Sequence, residues 1–417
     1  MQHLQSLLAF PALLGVAWLM SENRRAVRWR PVAGGVLLQG LLALVILRTP
    51  LGAAFFDGAQ RLFLGLLDFA RVGAARLLGE SPLGLDGSTP LLAAIVVASV
   101  VFFASLFSLL HHLGVVRLVV GAMARAMART LGTSGAESTS AAANIFVGQT
   151  EAPLLVRPWL PRMTRSELGT VMTVGFATVA GGVFGLYTEM LRGTVPGIAG
   201  HLLAASVMSA PMGLAVAKLL FPETGRPETL GRDVHPPRAE TENALDALAS
   251  GAAEGMRLSL NILAMLLAFL AVLALINHLL GLLRPETLDA AGAVVRPALS
   301  LEEVFGWILA PVAWLLGVPW EEAGRVGGLL GTKIAVNEFI AYQGLAGATE
   351  LSERSRLIAS YALCGFANFS SIAIQIGGLG GMCPERRGEI ARLGPRALAG
   401  GALTSFLTAA TAALLLG

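Results

Sequence analysis

Polar positions are scarce along this chain, and where they cluster they interrupt long apolar runs. Such runs fall near residues 5–20, 33–55, 91–110, 168–191, 197–220, 258–283, 356–380 and 397–416. About 20 consecutive apolar residues cross the hydrocarbon core as a helix, so the pattern predicts eight spans. Two further stretches, 136–162 and 321–353, are apolar at their ends and polar in the middle. The first holds NIFVGQTEAP (144–153) and the second AVNEFIAY (335–342), which puts Glu151 and Glu338 where hydrocarbon is expected. A carboxylate at mid-membrane depth costs about 2.5–3.5 kcal/mol on insertion scales. A chain that accepts this cost twice, with Gln149, Thr150 and Asn337 alongside, is expected to present polar groups to a cargo.

Each interruption is followed by an echo. GFATVAGGVFGLY (175–187) begins 24 residues after Glu151, and GFANFSSIAIQIGGL (365–379) begins 27 after Glu338. Interrupted segments at corresponding positions of two halves point to an internal repeat whose parts meet at a binding site.

Composition agrees. Of 417 residues, 55% are hydrophobic and 14% charged, against about 25% charged in soluble domains, so the chain reads as an all-α polytopic membrane protein. Of its 28 arginines, 18 lie in 21–31, 111–134, 156–166, 221–257 and 383–397. These are alternate connections if the N-terminus lies outside, as the positive-inside rule requires. Both termini then face the periplasm or exterior. The basic balance reflects topology and gives no reason to expect nucleic acid. The first apolar run lacks a small-residue cleavage site and reads as a retained helix. Two cysteines, Cys364 and Cys383, cannot define a disulfide scaffold, and none of the six histidines pairs with a cysteine or carboxylate at metal-ligand spacing.

Charge placement also orients the interrupted stretches. Residues 136–162 begin and end among cytoplasmic arginines and must enter and return as a re-entrant hairpin; 321–353 follows an outward-ending span and enters from outside. Two opposed hairpins, each followed by spans of opposite direction, make an inverted repeat. Irregular backbone survives at membrane depth only where protein or a water-filled cavity satisfies it, so the tips are expected to meet near the midplane. The predicted organisation is a scaffold over 1–134 (three spans and an interfacial helix) and a first transport repeat over 135–220. A cytoplasmic linker follows over 221–257, then a sixth span over 258–300 and the second repeat over 301–416. Part of 57–89, together with 111–134 and 300–318, is expected to lie in the interface as amphipathic helices.

Glu338 can only accept hydrogen bonds when ionised and, with Asn337, Asn368 and Ser371, suits a pair of neighbouring hydroxyls. Gln149 and Thr150, with Glu151 behind them, offer donor and acceptor edges suited to a heterocycle, and Phe366 supplies an aromatic face. A ligand with a vicinal diol at one end and a hydrogen-bonding heterocycle at the other is a nucleoside. Bland roles compete: Gln149, Thr150 and Asn144 as caps of half-helix ends, Ser370 bonding back to helix carbonyls, Asn261 and Asn277 as interhelical links, Glu189 as an interfacial residue, and Lys333 paired with a carboxylate.

The strings GTSGAESTSAAANIFVGQTEAPLLVRP, GTKIAVNEFIAY and CGFANFSSIAIQIGGLG closely resemble the concentrative nucleoside transporters. The resemblance runs over nearly the whole chain and implies a homotrimer importing nucleosides on a sodium gradient, or on protons in some bacterial members. It implies base contacts at Gln149, Thr150, Glu151 and Val183, and ribose contacts at Glu338, Asn368 and Ser371 with Phe366 beside the ligand. It implies a sodium site from the side chains of Asn144 and Thr178 and the carbonyls of Val147 and Val179, with Thr178 replacing a common serine. No other cofactor is implied, and membrane lipid is the other partner. The location expected is the bacterial cytoplasmic (inner) membrane. An intramembrane enzyme would need an activated nucleophile or metal, and no histidine lies near Ser370, Ser371 or Thr150. A channel would line its pore with one repeated motif, whereas this polar set is asymmetric.

Overall fold

A computed structural model describes residues 2–83, 91–234, 241–288 and 294–416. The described chain is almost entirely helical, and the positions where helices break set the architecture. Near the N-terminus come α1 (Gln2–Leu19), α2 (Trp29–Arg48) and α3 (Pro50–Leu78), then α4 (Leu92–His112) and α5 (Val115–Leu131). The run expected as one span over 33–55 stops at Thr49. Pro50 cannot donate to the helix before it, and the Thr49 hydroxyl accepts from Gly52 N at 3.2 Å to cap the next helix. The connection expected from residue 57 is therefore the continuation of α3. Its buried face is Gly52, Ala59, Phe63, Leu67 and Ala70, while Leu62, Phe69 and Val72 stay exposed. Residues 84–90 of that expected connection lie outside the described residues. In α5, Val116, Val120, Ala124, Met127 and Leu131 form one buried stripe, as an interfacial helix requires.

Two segments then repeat one plan. In the first, α6 (Gly135–Ala143) enters a turn at 144–151 and returns through a 3-10 helix, Ala152–Arg162; α7 (Arg165–Ala177) and α8 (Gly181–Leu191) form a broken pair, and α9 (Ile198–Leu220) closes the set. In the second, α12 (Trp320–Ala335) turns into α13 (Glu338–Gly347), α14 (Glu353–Leu363) and α15 (Phe369–Met382) form the broken pair, and α16 (Arg387–Leu415) closes it. Between them stand α10 (Ala244–Leu283), a two-stranded β1–β2 ribbon (Thr287–Leu288 with Val294–Arg296) and α11 (Leu301–Leu315).

Among the described residues, five helices are long and apolar enough to cross a membrane, or six if α11 and α12, bent by 116°, count as one. Of the other expected spans, 168–191 and 356–380 are each two half-helices, and the apolar part of α1 is short. The linker expected over 221–257 is also shorter. Helix α10 starts at Ala244, capped by the Asn243 side chain accepting from Asp246 N at 3.0 Å. Its polar first turns were misleading because glycines there seat the helix on α4: a Cβ at Gly251 would lie 2.7 Å from Ala104 O, and one at Gly255 2.8 Å from Val101 Cα.

Burial separates centre from periphery. The apolar window of α9 is 89% buried and that of α16 83%, against 17% for α10 and 28% for α4. Helices α7 and α14 pack on this α9/α16 centre. Helices α1 and α2 also lie against it. Gln39 Nε2 donates to Thr408 at 2.9 Å, Ser6 to the Leu316 carbonyl at 2.9 Å, and Glu22 receives Arg165 and Arg396, each at 2.7 Å. Helix α4 instead pairs with α10 along its length. Asn277 makes its expected interhelical bonds, to Glu302 at 3.2 Å and from Leu301 N at 2.8 Å, whereas Asn261 is exposed on α10.

Candidate functional site

The site grows from the two helix breaks. Helix α7 ends at Ala177 and α8 begins at Gly181, with Thr178 in extended backbone between them. Helix α14 ends at Leu363, and Gly365 takes φ +116°, a conformation that only glycine adopts without strain. A Cβ at Gly365 would lie 2.8 Å from the carbonyl oxygens of Phe176 and Ala177. The two breaks therefore touch backbone to backbone.

A broken helix leaves carbonyls without donors. At the second break, Lys333 from α12 supplies them. It is fully buried, and its Nζ donates to Ala362 O at 2.9 Å, Cys364 O at 3.3 Å and Ser405 Oγ at 3.1 Å. Lys333 thus bonds carbonyls and a hydroxyl, and the carboxylate pairing considered for it is not found. At the base of the first hairpin a different lysine works: Lys218 of α9 meets Glu137 at 2.6 Å and Ser166 at 2.9 Å, tying α6 and α7 to α9.

Each hairpin tip then bonds both breaks. The first lies on α8, where Gly181 N donates to Phe146 O at 3.0 Å. It also reaches α15, where Gln375 Nε2 donates to Gln149 Oε1 at 3.0 Å. The second tip starts with Asn337, which caps α13 by accepting from Ile340 N at 2.9 Å. Glu338, 6% exposed, accepts from Tyr187 of α8 at 2.8 Å and from Asn368 Nδ2 at 2.9 Å. Asn368 also caps α15: its Oδ1 accepts from Ser371 N at 2.8 Å and from Ser370 Oγ at 2.6 Å. Ser370 therefore bonds the asparagine and not a helix carbonyl.

Of the residues expected at the base end, Gln149 is 7% exposed, Val183 is buried on α8, and Glu151 is exposed at the tip. The Thr150 methyl packs toward Gly378, where a Cβ would lie 3.0 Å from it. At the ribose end, Ser371 is 2% exposed and Phe366 half-buried. Of the expected sodium ligands, Asn144 is wholly buried; its Nδ2 donates to Ser140 O at 3.0 Å, which makes it the cap of α6, yet its Oδ1 has no partner among the described residues. Thr178 Oγ1 donates to Val174 O at 3.1 Å and keeps lone pairs free. Among the described residues, the carbonyls of Val147 and Val179 accept no backbone bond outside helices. That is an oxygen-only donor set with an orphaned buried acceptor. It fits a hard monovalent cation and not zinc or copper.

Sequence reasoning missed Tyr187 and Gln375. The signal for Tyr187 was available: the chain has only three tyrosines, each within apolar sequence, and a buried phenol usually needs a partner. The other two find theirs in Ser360 O (Tyr342, 3.0 Å) and His201 (Tyr361, 2.9 Å). Glu189, expected at the interface, pairs with Arg71 of α3 and, at 3.3 Å, with Arg192. Among the described residues no group of histidine, cysteine, aspartate or glutamate could hold a metal.

Comparison with known proteins agrees with this geometry. Residues 201–413 match the family described as "Na+ dependent nucleoside transporter C-terminus", 8–81 its N-terminal counterpart, and 93–193 a "Nucleoside recognition" gate. The chain is 39% identical to the nucleoside permease NupC of Helicobacter pylori, over 99% of this chain and 97% of that one. It is 40% identical to the pig sodium/nucleoside cotransporter 1 over 95% of this chain, spanning 61% of that longer protein. The solved structure of CNTnw in an inward-facing substrate-bound state superposes with TM-score 0.90 at 40% identity, covering 100% of this chain and 98% of that one. Outward-facing CNTnw structures align equally well, at TM-score 0.90. With two interrupted spans, two hairpin tips closing on them, and sequence likeness along its whole length, this multi-pass membrane chain belongs to the concentrative nucleoside transporter family.

Proposed function

We propose that the chain imports nucleosides such as uridine by sodium symport, through alternating access of a unit built on the two hairpins. The observation that carries this reading is the pair of buried, half-satisfied polar sets at the tips. At the ribose end, Glu338 is held by Tyr187 and Asn368 from two different elements. Each carboxylate oxygen keeps a further lone pair, so adjacent sugar hydroxyls can add to a preformed group at little ordering cost. At the base end, Gln149 and Thr150 stand on the first tip, braced by α15. The moving unit comprises 135–220 and 301–416, working against α4 and α10. It assembles in a homotrimer of the bacterial inner membrane, each subunit with its own path and both termini outside, the orientation that the arginine distribution supports.

Asn144, Val147, Thr178 and Val179 would hold the ion, and a bound monovalent cation supplies the positive charge that their orphaned oxygens lack. The chain's own part is to join tip and break: Phe146 already bonds Gly181, so whatever orders one orders the other. Coupling between two such sites is typically about 1–3 kcal/mol. Uptake of radiolabelled uridine into proteoliposomes should require an inward sodium gradient, and Thr178→Ala should raise the sodium concentration for half-maximal uptake. Undiminished uptake with choline in place of sodium, abolished when a protonophore collapses an imposed pH gradient, would assign coupling to protons and leave Asn144 a cap.

A further inference from the structure

One face of the second broken span looks onto the first hairpin tip and carries Ser371, Gln375 and Gly378, three and four residues apart. Gln375 is 1% exposed. Its Nε2 donates to the Met172 carbonyl at 3.1 Å as well as to Gln149 Oε1 at 3.0 Å. A backbone carbonyl can only accept, so the Met172 contact fixes which end of the Gln375 amide is nitrogen. That nitrogen needs an acceptor on Gln149, which must turn its Oε1 toward Gln375. Gln149 Nε2 is left with no hydrogen bond among the described residues, and Gln375 Oε1 is buried and also without one. Room for the bridge comes from Gly175, where a Cβ would lie 2.8 Å from Gln375 Nε2 and 3.2 Å from Gln149 Cβ.

We propose that Gln375, itself held by the Met172 carbonyl, locks the Gln149 amide, sets the hydrogen-bonding polarity of the base end and selects nucleobases with an oxo group beside a ring N–H. The inference rests on the nucleoside reading above, with Gln149 at the base end. A donor on Gln149 next to an acceptor on Gln375 is complementary to an acceptor next to a donor. Uracil, thymine and hypoxanthine present that edge. Cytosine and adenine present the reverse, an amino group beside a bare ring nitrogen, and would set donor against donor and acceptor against acceptor. Gln375 cannot rotate to suit them without breaking its Met172 bond, and Gln149 cannot without breaking its bond to Gln375. Buried polar groups left mispaired are what make such discrimination steep.

The test is a binding panel on the purified full-length protein in nanodiscs, read by calorimetry. Uridine and inosine should bind at least about tenfold more tightly than cytidine and adenosine, and 3-methyluridine, which lacks the ring N–H, should be weakened at least about tenfold. Gln375→Leu frees Gln149 to face either way, so the uridine-to-cytidine ratio should fall to within about threefold. The penalty for 2′,3′-dideoxyuridine, which reports on the untouched ribose end, should persist. Equal affinity of the wild-type protein for uridine, cytidine and 3-methyluridine would overturn the proposal, and that arm stands even if the variant fails to fold. A folded Gln375→Leu protein with the wild-type ratio would also overturn it. Binding of no nucleoside by the wild-type protein would instead strike the underlying reading of the site.

Discussion

At the scale of single residues, the site is built from groups that are each partly used. Glu338 accepts two protein hydrogen bonds, from Tyr187 and Asn368, and Asn368 spends its oxygen on Ser370 and Ser371. Replacing Glu338 by glutamine puts an NH2 group where one oxygen now accepts, facing either the Tyr187 hydroxyl or the Asn368 amide. A hydrogen bond to a charged group is worth about 1.5–3 kcal/mol. Glu338→Gln is therefore expected to weaken uridine binding by about tenfold to a hundredfold, measured by calorimetry on purified protein. Wild-type affinity in that variant would remove Glu338 from the ribose end. The sequence showed Glu338 because a carboxylate among apolar residues stands out. It could not show Tyr187 as a partner, because 151 residues separate them.

At the scale of elements, the breaks in α7–α8 and α14–α15 are stable only because neighbouring elements satisfy their loose ends. Lys333 does so at the second break from a helix of its own hairpin. A buried ammonium is costly unless its donors are matched, and here three acceptors surround it. Lys333→Met keeps the aliphatic stem and strips the donors, leaving the Ala362 carbonyl bare and the Cys364 carbonyl with Ser405 alone. The expected cost is about 1–3 kcal/mol for each group left unsatisfied, seen as a lower unfolding temperature in detergent, with uptake lost in parallel. An unchanged unfolding temperature would mean that water replaces the ammonium and that the break does not depend on it.

For the whole molecule, the proposed division into a moving unit and a scaffold rests on the contrast between a buried centre and less covered flanks. Helices α9 and α16 are enclosed on nearly all sides, while α10 leaves many large apolar side chains exposed and α4 is mostly half-buried. Where α4 meets the first broken span, aromatic rings fill glycine notches: Phe103 sits against Gly185 and Phe107 against Gly181. Smooth, apolar contacts of this kind can slide, whereas hydrogen-bonded ones would have to be broken. The Arg71–Glu189 pair between α3 and α8 is the polar exception beside them. If the hairpin unit moves against α4, a disulfide or short bridge between Phe103→Cys and Gly185→Cys should arrest uptake in folded protein and reduction should restore it. Full transport by a quantitatively cross-linked pair would place α4 and α8 in the same rigid body.

The sequence by itself determined the membrane class, the two polar interruptions, their echoes and the identity of Gln149, Glu338 and Asn368. Each is local: a polar residue among apolar ones, or a motif repeated at similar spacing, is visible without knowing any partner. Tertiary structure decided the rest. It cut two apolar runs into half-helices, because lysines, asparagine caps and glycine contacts from distant elements satisfy backbone that an isolated span would have had to satisfy itself. It carried α10 back to Ala244, because glycines let that polar stretch lie on α4. It turned Asn337 into a cap, Lys333 into a donor for carbonyls and Gln375 into the brace of Gln149. A side chain's chemistry is written in its own identity, but which of its hydrogen bonds are already taken depends on residues that only folding brings alongside.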